Sequence, residues 1–206
     1  MERGLDLIAL TDHNSALNAP AFSAACQEAG IACIFGLEVT TREEAHVLCL
    51  FESPEEALGF GEGIYSLIPD IPNDPEKMGD QVFVDEGENI LGEVEKYLPQ
   101  AADISIDDLA LRVGEAEGLF IPAHVDKPVF SIVSQLGFLP PLPYTALETT
   151  RMPCPVNTGK LPLIMSSDAH YLGDIGRRLS VLSVYELSFQ GIREAIEAGR
   201  IAYEGR

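Results

Sequence analysis

The chain has 206 residues, 46% hydrophobic and 22% charged, which allows one domain with a sizeable core and excludes a disordered segment. Lys and Arg number 13 against 33 Asp and Glu, a net charge of −20; that field repels anionic polymers, so neither a membrane nor a long nucleic acid is expected as a partner. No apolar run approaches the ~20 residues needed to cross a bilayer, no signal-peptide pattern opens the chain, and Cys26, Cys33, Cys49 and Cys154 form no C-x-x-C pair, so reduced thiols and a cytoplasmic location are expected.

Met1-Glu2-Arg3-Gly4 reads as the tail of a helix and its glycine stop, which implies an element upstream. Asp6–Leu10 reads as a short apolar strand, and Ser15–Ala29 as a helix stopped by Gly30. Ile31–Val39 and His46–Phe51 are further strands. Ser53-Pro54-Glu55-Glu56 carries the signature of a capped helix start. After a polar, proline-containing loop at Pro69–Asp80, Gln81–Asp85 and Asn89–Val94 resemble a β-hairpin. Ser105 caps the next helix, which Gly118 ends, and Leu119–Ala123 is a strand. Pro128–Leu136 is expected to be helical, with Gly137 after it. Pro140, Pro141 and Pro143 mark a loop, and Thr145–Thr149, Leu161–Ser166 and Leu179–Tyr185 follow as strands. A helix from Ser188 to Gly199 closes the pattern. Apolar strands alternating with helices point to a parallel sheet covered on both faces, and their number suits a (β/α) barrel. Neither G-x-G-x-x-G nor a P-loop is present.

In such barrels functional groups gather at the C-terminal strand ends. His13, Glu38, His124, Asp168 and His170 fall at such ends, and Asp168 and His170, two apart, share a side of an extended backbone. A tight turn over Val39–Ala45 would make the third strand antiparallel to the second and bring His46 beside Glu38. Taken singly, T-D-H-N is equally a structural Asp–His pair, and His124 after Pro122 equally a strand terminator. Asp126 suits a supporting or solvated role, and Glu43 and Glu44 a solvated turn. Ser166 and Ser167 lack the G-x-S-x-G elbow of a serine nucleophile. Six imidazole and carboxylate groups at one barrel end form the pattern that binds a cluster of divalent ions, with Zn, Mn and Fe all suited to mixed His and carboxylate donors.

Leu7–Asn14, Gly36-Leu37-Glu38-Val39, His46-Val47-Leu48, Pro122-Ala123-His124 and Ser167-Asp168-Ala169-His170 resemble, in order, the motifs of the PHP family, the polymerase and histidinol phosphatase domains. The resemblance implies a distorted (β/α)7 barrel, phosphoester hydrolysis, and two or three divalent ions held by His13, Glu38, His46, His124, Asp168 and His170. It places Asp12 beside the first ligand, as a supporting group that could help protonate the leaving oxygen, and Asp168 and His170 in both ligation and catalysis. Lys127 and Arg177 are candidates to hold phosphate on a small phosphorylated substrate or short nucleotide; at Arg178 a surface charge is the better reading. The family's first motif, an H-x-H followed by an acid, is absent from these residues. Expected from this are a single domain lacking its first strand, with the 81–95 hairpin as an insertion, and a seam that a homodimer could cover. The alternatives are a barrel that binds metal or a partner without catalysis, and an amidohydrolase-type barrel, for which no strand-end lysine is found.

Overall fold

The computed structural model describes residues 4–205, so the helix tail expected at residues 1–3 lies outside them. The first half contains β1 (Leu7–His13), α1 (Ala19–Ala29), β2 (Ala32–Thr40), β3 (His46–Phe51), α2 (Pro54–Tyr65), α3 (Pro75–Met78), β4 (Val82–Val84) and β5 (Ile90–Glu93). The second contains α4 (Ile106–Glu115), β6 (Leu119–Pro122), α5 (Ile132–Leu136), β7 (Leu147–Glu148), β8 (Leu163–Ile164), β9 (Arg178–Leu182), α6 (Phe189–Glu197) and β10 (Ile201–Gly205).

The main sheet has the order β1-β2-β3-β6. β1 runs parallel to β2, while β3 is antiparallel to both β2 and β6. The expected turn between β2 and β3 is therefore present, and Thr40 pairs with His46 across it. Gly36 lets these two strands meet: a Cβ there would stand 2.3 Å from the Cys49 carbonyl oxygen.

Alternation along the strands builds two cores. Phe35, Leu37 and Val39 of β2 and Val47, Cys49 and Phe51 of β3 join Ile64 of α2 and Leu109 and Val113 of α4. The intervening Ile34, Leu48 and Leu50, with Leu119 and Ile121 of β6, face Ile192 and Ile196 of α6. Glu38 and His46 share the parity of this second set, so the polar group continues an apolar face.

Beyond β6 the ladder fragments. β7 and β8 are two residues long and pair only with each other, β9 and β10 form an antiparallel pair, and β4 and β5 form the hairpin. The closed (β/α)7 barrel is thus not made by strand pairing among the described residues. Pro140, Pro141, Pro143, Pro153, Pro155 and Pro162 crowd this stretch and cannot donate to a ladder. Single bonds bridge the gaps instead. Val125 N–H donates to the Glu148 carbonyl (2.8 Å), and Met165 N–H donates to the Ser180 hydroxyl (2.8 Å).

Local chemistry also moved some boundaries. α1 starts at Ala19 rather than Ser15, because Asn14 is left-handed and a proline lies in the first turn. The helix expected from Pro128 begins only at Ile132, where Ser131 caps it. Ser53 and Glu56 form the expected capping box. β10 follows Gly199, where no strand was expected. All four cysteines are free thiols, and no described helix is long and apolar enough to cross a membrane.

Candidate metal centre

The ends of β1, β2, β3 and β6 bring four of the expected groups together. The β1–β2 register sets His13 opposite Glu38, and the Glu38 Oε2 atom lies 3.2 Å from His13 Nδ1 and 3.1 Å from His46 Nδ1. His124 Nε2 lies 3.5 Å from the other carboxylate oxygen. Simple alternation would send His124 to the face of Phe120. It instead has φ 32°, a left-handed turn that carries its ring to the site. Glu38 is 7% exposed and His124 3%. His46 is sandwiched: its ring lies 5.3 Å from those of His13 and His124 and stacks on Phe130 at 4.8 Å.

Burial pushes the Glu38 carboxyl upward, but its contacts with His124, His46 and His13 together outweigh that and hold it well below the usual carboxylate range. The His13 imidazole is pushed down, first by burial and also by the neighbouring His46 and His170 rings, against the pull of Glu38. A neutral imidazole beside an ionised carboxylate is the donor state a divalent ion requires. The Nδ1 atoms of His13, His46 and His124 are buried and make no hydrogen bond, although two of them sit close to Glu38. Each such orphan costs about 1–3 kcal/mol. A shared cation relieves that cost at His13 and His46, which with Glu38 offer one ligand atom each within 4.8 Å of one another, while His124 faces Glu38 with its other nitrogen, Nε2. The residues therefore fit a metal ion.

The other expected groups stand apart from this cage. Asp168 pairs with Lys127 (2.5 Å), and His170 Nδ1 lies 3.7 Å from its second oxygen with the side chain 64% exposed. The ring of His170 is 6.2 Å from that of His13. Burial raises the Asp168 carboxyl, and Lys127 more than offsets it, leaving the group below its ordinary range. Asp12 alternates to the opposite face of β1, where Asn18 donates to it (3.2 Å) and burial pushes its carboxyl up. Arg177 pairs with Asp174 at 3.2 Å on the surface. Ser166 and Ser167 give their carbonyls to Arg178 (3.1 Å each), so Arg178 holds this loop. Asp126 accepts from the Thr150 N–H (2.8 Å) and hydroxyl (2.7 Å), a supporting role. Glu43 accepts from Ile106 N–H (3.1 Å) and so caps α4 instead of merely being solvated.

Three supports were not read from the sequence. Glu148 is buried, accepts from His124 N–H (2.8 Å) and takes a hydrogen bond from the Ser166 hydroxyl, tying together the loops of His124 and Asp168. Burial raises its carboxyl first, against the contacts with Ser166 and His124. A lone acid inside Ala146-Leu147-Glu148-Thr149 was the available signal, since buried strands seldom carry one unpaired. Asn14, fully buried, donates to the Leu98 (2.7 Å) and Gln100 (2.8 Å) carbonyls and accepts from Thr40 N–H (3.0 Å). Phe130, whose carbonyl also accepts from His46 N–H (2.9 Å), is the third.

The profile of the PHP domain matches residues 1–110 of 206, more than half of the chain. This chain belongs to the PHP family. No curated protein matches it in sequence. Solved structures share its fold at low identity. Endonuclease Q of Pyrococcus furiosus, a lesion-specific endonuclease, is 17% identical with a TM-score of 0.64 over 97% of this chain and 50% of its own. Endonuclease Q in complex with a 27-mer duplex bearing an abasic lesion at the active site is 18% identical, with a TM-score of 0.67 over 95% of this chain and 49% of its own. A two-domain protein of Bacteroides vulgatus containing a predicted PHP-like metal-dependent phosphoesterase is 17% identical, with a TM-score of 0.55 over 98% of this chain and 57% of its own. The chain therefore spans about half the length of these neighbours. The duplex complex overturns the expectation that long nucleic acid is an improbable partner for such a protein. Net charge averages the whole surface, whereas a polynucleotide meets a local site whose sign bound cations can invert.

Proposed function

We propose that the chain carries the metal centre of a phosphoester hydrolase built on a distorted (β/α)7 PHP barrel. The observation that carries this is the Glu38 carboxylate ringed by His13, His46 and His124, with the buried Nδ1 atoms of His13 and His46 that face it lacking hydrogen bonds. These four residues would hold a Zn, Mn or Fe ion, with Asp168 and His170 completing the set if further ions are taken. Such an ion supplies positive charge to phosphoryl oxygens and lowers the pKa of a water molecule towards ~7.

The chain's own groups do the rest in this reading. Asp168, kept ionised by Lys127, orients the attacking water as an acceptor. Water adds to phosphorus and releases a proton to solvent, the bond from phosphorus to the leaving oxygen breaks, and the exposed His170 relays a proton from solvent to that oxygen. Asp12, bonded to Asn18 on the opposite face of β1, bears on His13 through its charge alone. Lys127, three residues after His124, and Arg177, after the Asp168–His170 loop, would meet the phosphate. The substrate class is a phosphomonoester or phosphodiester, with duplex DNA of the kind endonuclease Q binds among the candidates.

The test is hydrolysis of p-nitrophenyl phosphate, bis-p-nitrophenyl phosphate and abasic-site duplex DNA with added Mn²⁺ or Zn²⁺. Turnover that disappears in His124→Ala supports the reading, and turnover that survives it rules the site out. A second reading, a metal-binding barrel without catalysis, is favoured by Asp168 and His170 joining no group of metal-capable donors among the described residues. It predicts bound metal and no turnover on any of the three.

A further inference from the structure

The second charged cluster at this end of the sheet has an unusual make-up. Asp168 stands on the His170 side of the cage, with His170 Nδ1 3.7 Å from Asp168 Oδ1 and the His170 ring 6.2 Å from that of His13. A carboxylate with an imidazole beside it, next to a first ion site, offers the donor types that a second cation takes in two-metal phosphoesterases. Here a side chain stands against that acid: Lys127 Nζ is 2.5 Å from Asp168 Oδ2. Among the described residues, Asp168 and His170 join no third donor in a metal-capable group, whereas His13, Glu38 and His46 do.

Lys127 is also fixed in place. Its N–H donates to the His124 carbonyl (2.8 Å), and its own carbonyl accepts from the Ser131 hydroxyl (2.8 Å). The ammonium therefore springs from the same short turn as a cage ligand, and that turn is tied at both ends.

We propose that Lys127 is a built-in substitute for a second metal ion, so that this chain binds one divalent ion and uses the ammonium, anchored by Asp168, as the other positive charge facing the phosphate. The proposal rests on the metal-centre reading above and assigns the charge partner of that centre. An ammonium cannot be lost to chelators, and it lacks the open coordination positions of a metal. It therefore neutralises Asp168 and attracts phosphate without activating water.

Equilibrium dialysis of the metal-free protein against Mn²⁺, with metal counted per chain by elemental analysis, tests this. One ion is expected in the wild type and in Lys127→Arg, and two in Lys127→Met, where Asp168 is released to bind. Two ions in the wild type, or one in Lys127→Met, overturns the proposal while leaving the metal centre intact. No ion in any of them defeats the metal-centre reading itself. Lys127→Gln, which also removes the charge, gives the same readout if the methionine variant fails to fold.

Discussion

The four-residue cage and the Asp168–His170 loop are both groups of potential ligands at one end of the same protein, yet they are built differently. His13, Glu38 and His46 sit on strands of six to nine residues with continuous ladders on both sides of Glu38. Asp168 and His170 follow a two-residue strand, and their loop is held by Ser167, Arg178 and Lys127 side chains. Ligands carried on a packed sheet have their geometry set by the core, while ligands on a side-chain-tethered loop can be rearranged by whatever binds. On the proposed reading, the first region would define where a metal goes, and the second could adapt to substrate.

Breaking the support of the first region should have the largest effect. Asn14→Ala strips partners from three backbone groups, two of them buried, and is expected to cost about 3 kcal/mol, read by urea denaturation. Next, His124→Ala should weaken Mn²⁺ or Zn²⁺ binding by about 100-fold or more in dialysis, since it removes a ligand rather than a support. Glu148→Ala should cost about 10–100-fold in metal affinity through the freed His124 backbone, with Glu148→Gln restoring most of it. At the small end, His170→Ala should change metal affinity by less than about threefold, because the ring is exposed and outside the cage. An effect as large as that of His124→Ala would erase the distinction between the two regions.

Acidity sharpens the comparison. Burial raises the Glu148 carboxyl above its ordinary 4.5, so the folded chain holds that proton more tightly than the unfolded chain does. The unfolded state then binds fewer protons as pH rises above 4.5, and the contribution of this group to stability falls. Glu148→Gln should flatten that decline in metal-free thermal melts, and an unchanged slope would show that Glu148 is not its source.

Much of the first region was legible because its signals are local. The β2–β3 reversal followed from the polar stretch between two apolar runs, and it correctly placed His46 against Glu38. Caps at Ser53, Ser105 and Ser188 mark helix starts as expected. The later half was read as longer strands than exist, because apolar character alone does not reveal that prolines interrupt the ladder. Glu148 and Phe130 escaped notice because their roles come from packing across 24 and 84 positions of sequence. Asp168 was placed with the ligands by its spacing from His170, but its pairing with Lys127 depends on how two distant loops fold together.

Three of the turns that shape this end, at Asn14, His124 and Asp168, place non-glycine residues at φ between 32° and 49°. Such backbone is disfavoured for most side chains, by about 1–3 kcal/mol each when the surroundings enforce it. A selection for heat resistance alone should therefore drift towards glycine or asparagine at positions 124 and 168, trading chemistry for comfort. Resistance of those two positions to that drift, in a population required only to stay folded, would mean that the imidazole and the carboxylate are needed for the shape as well as for the reaction.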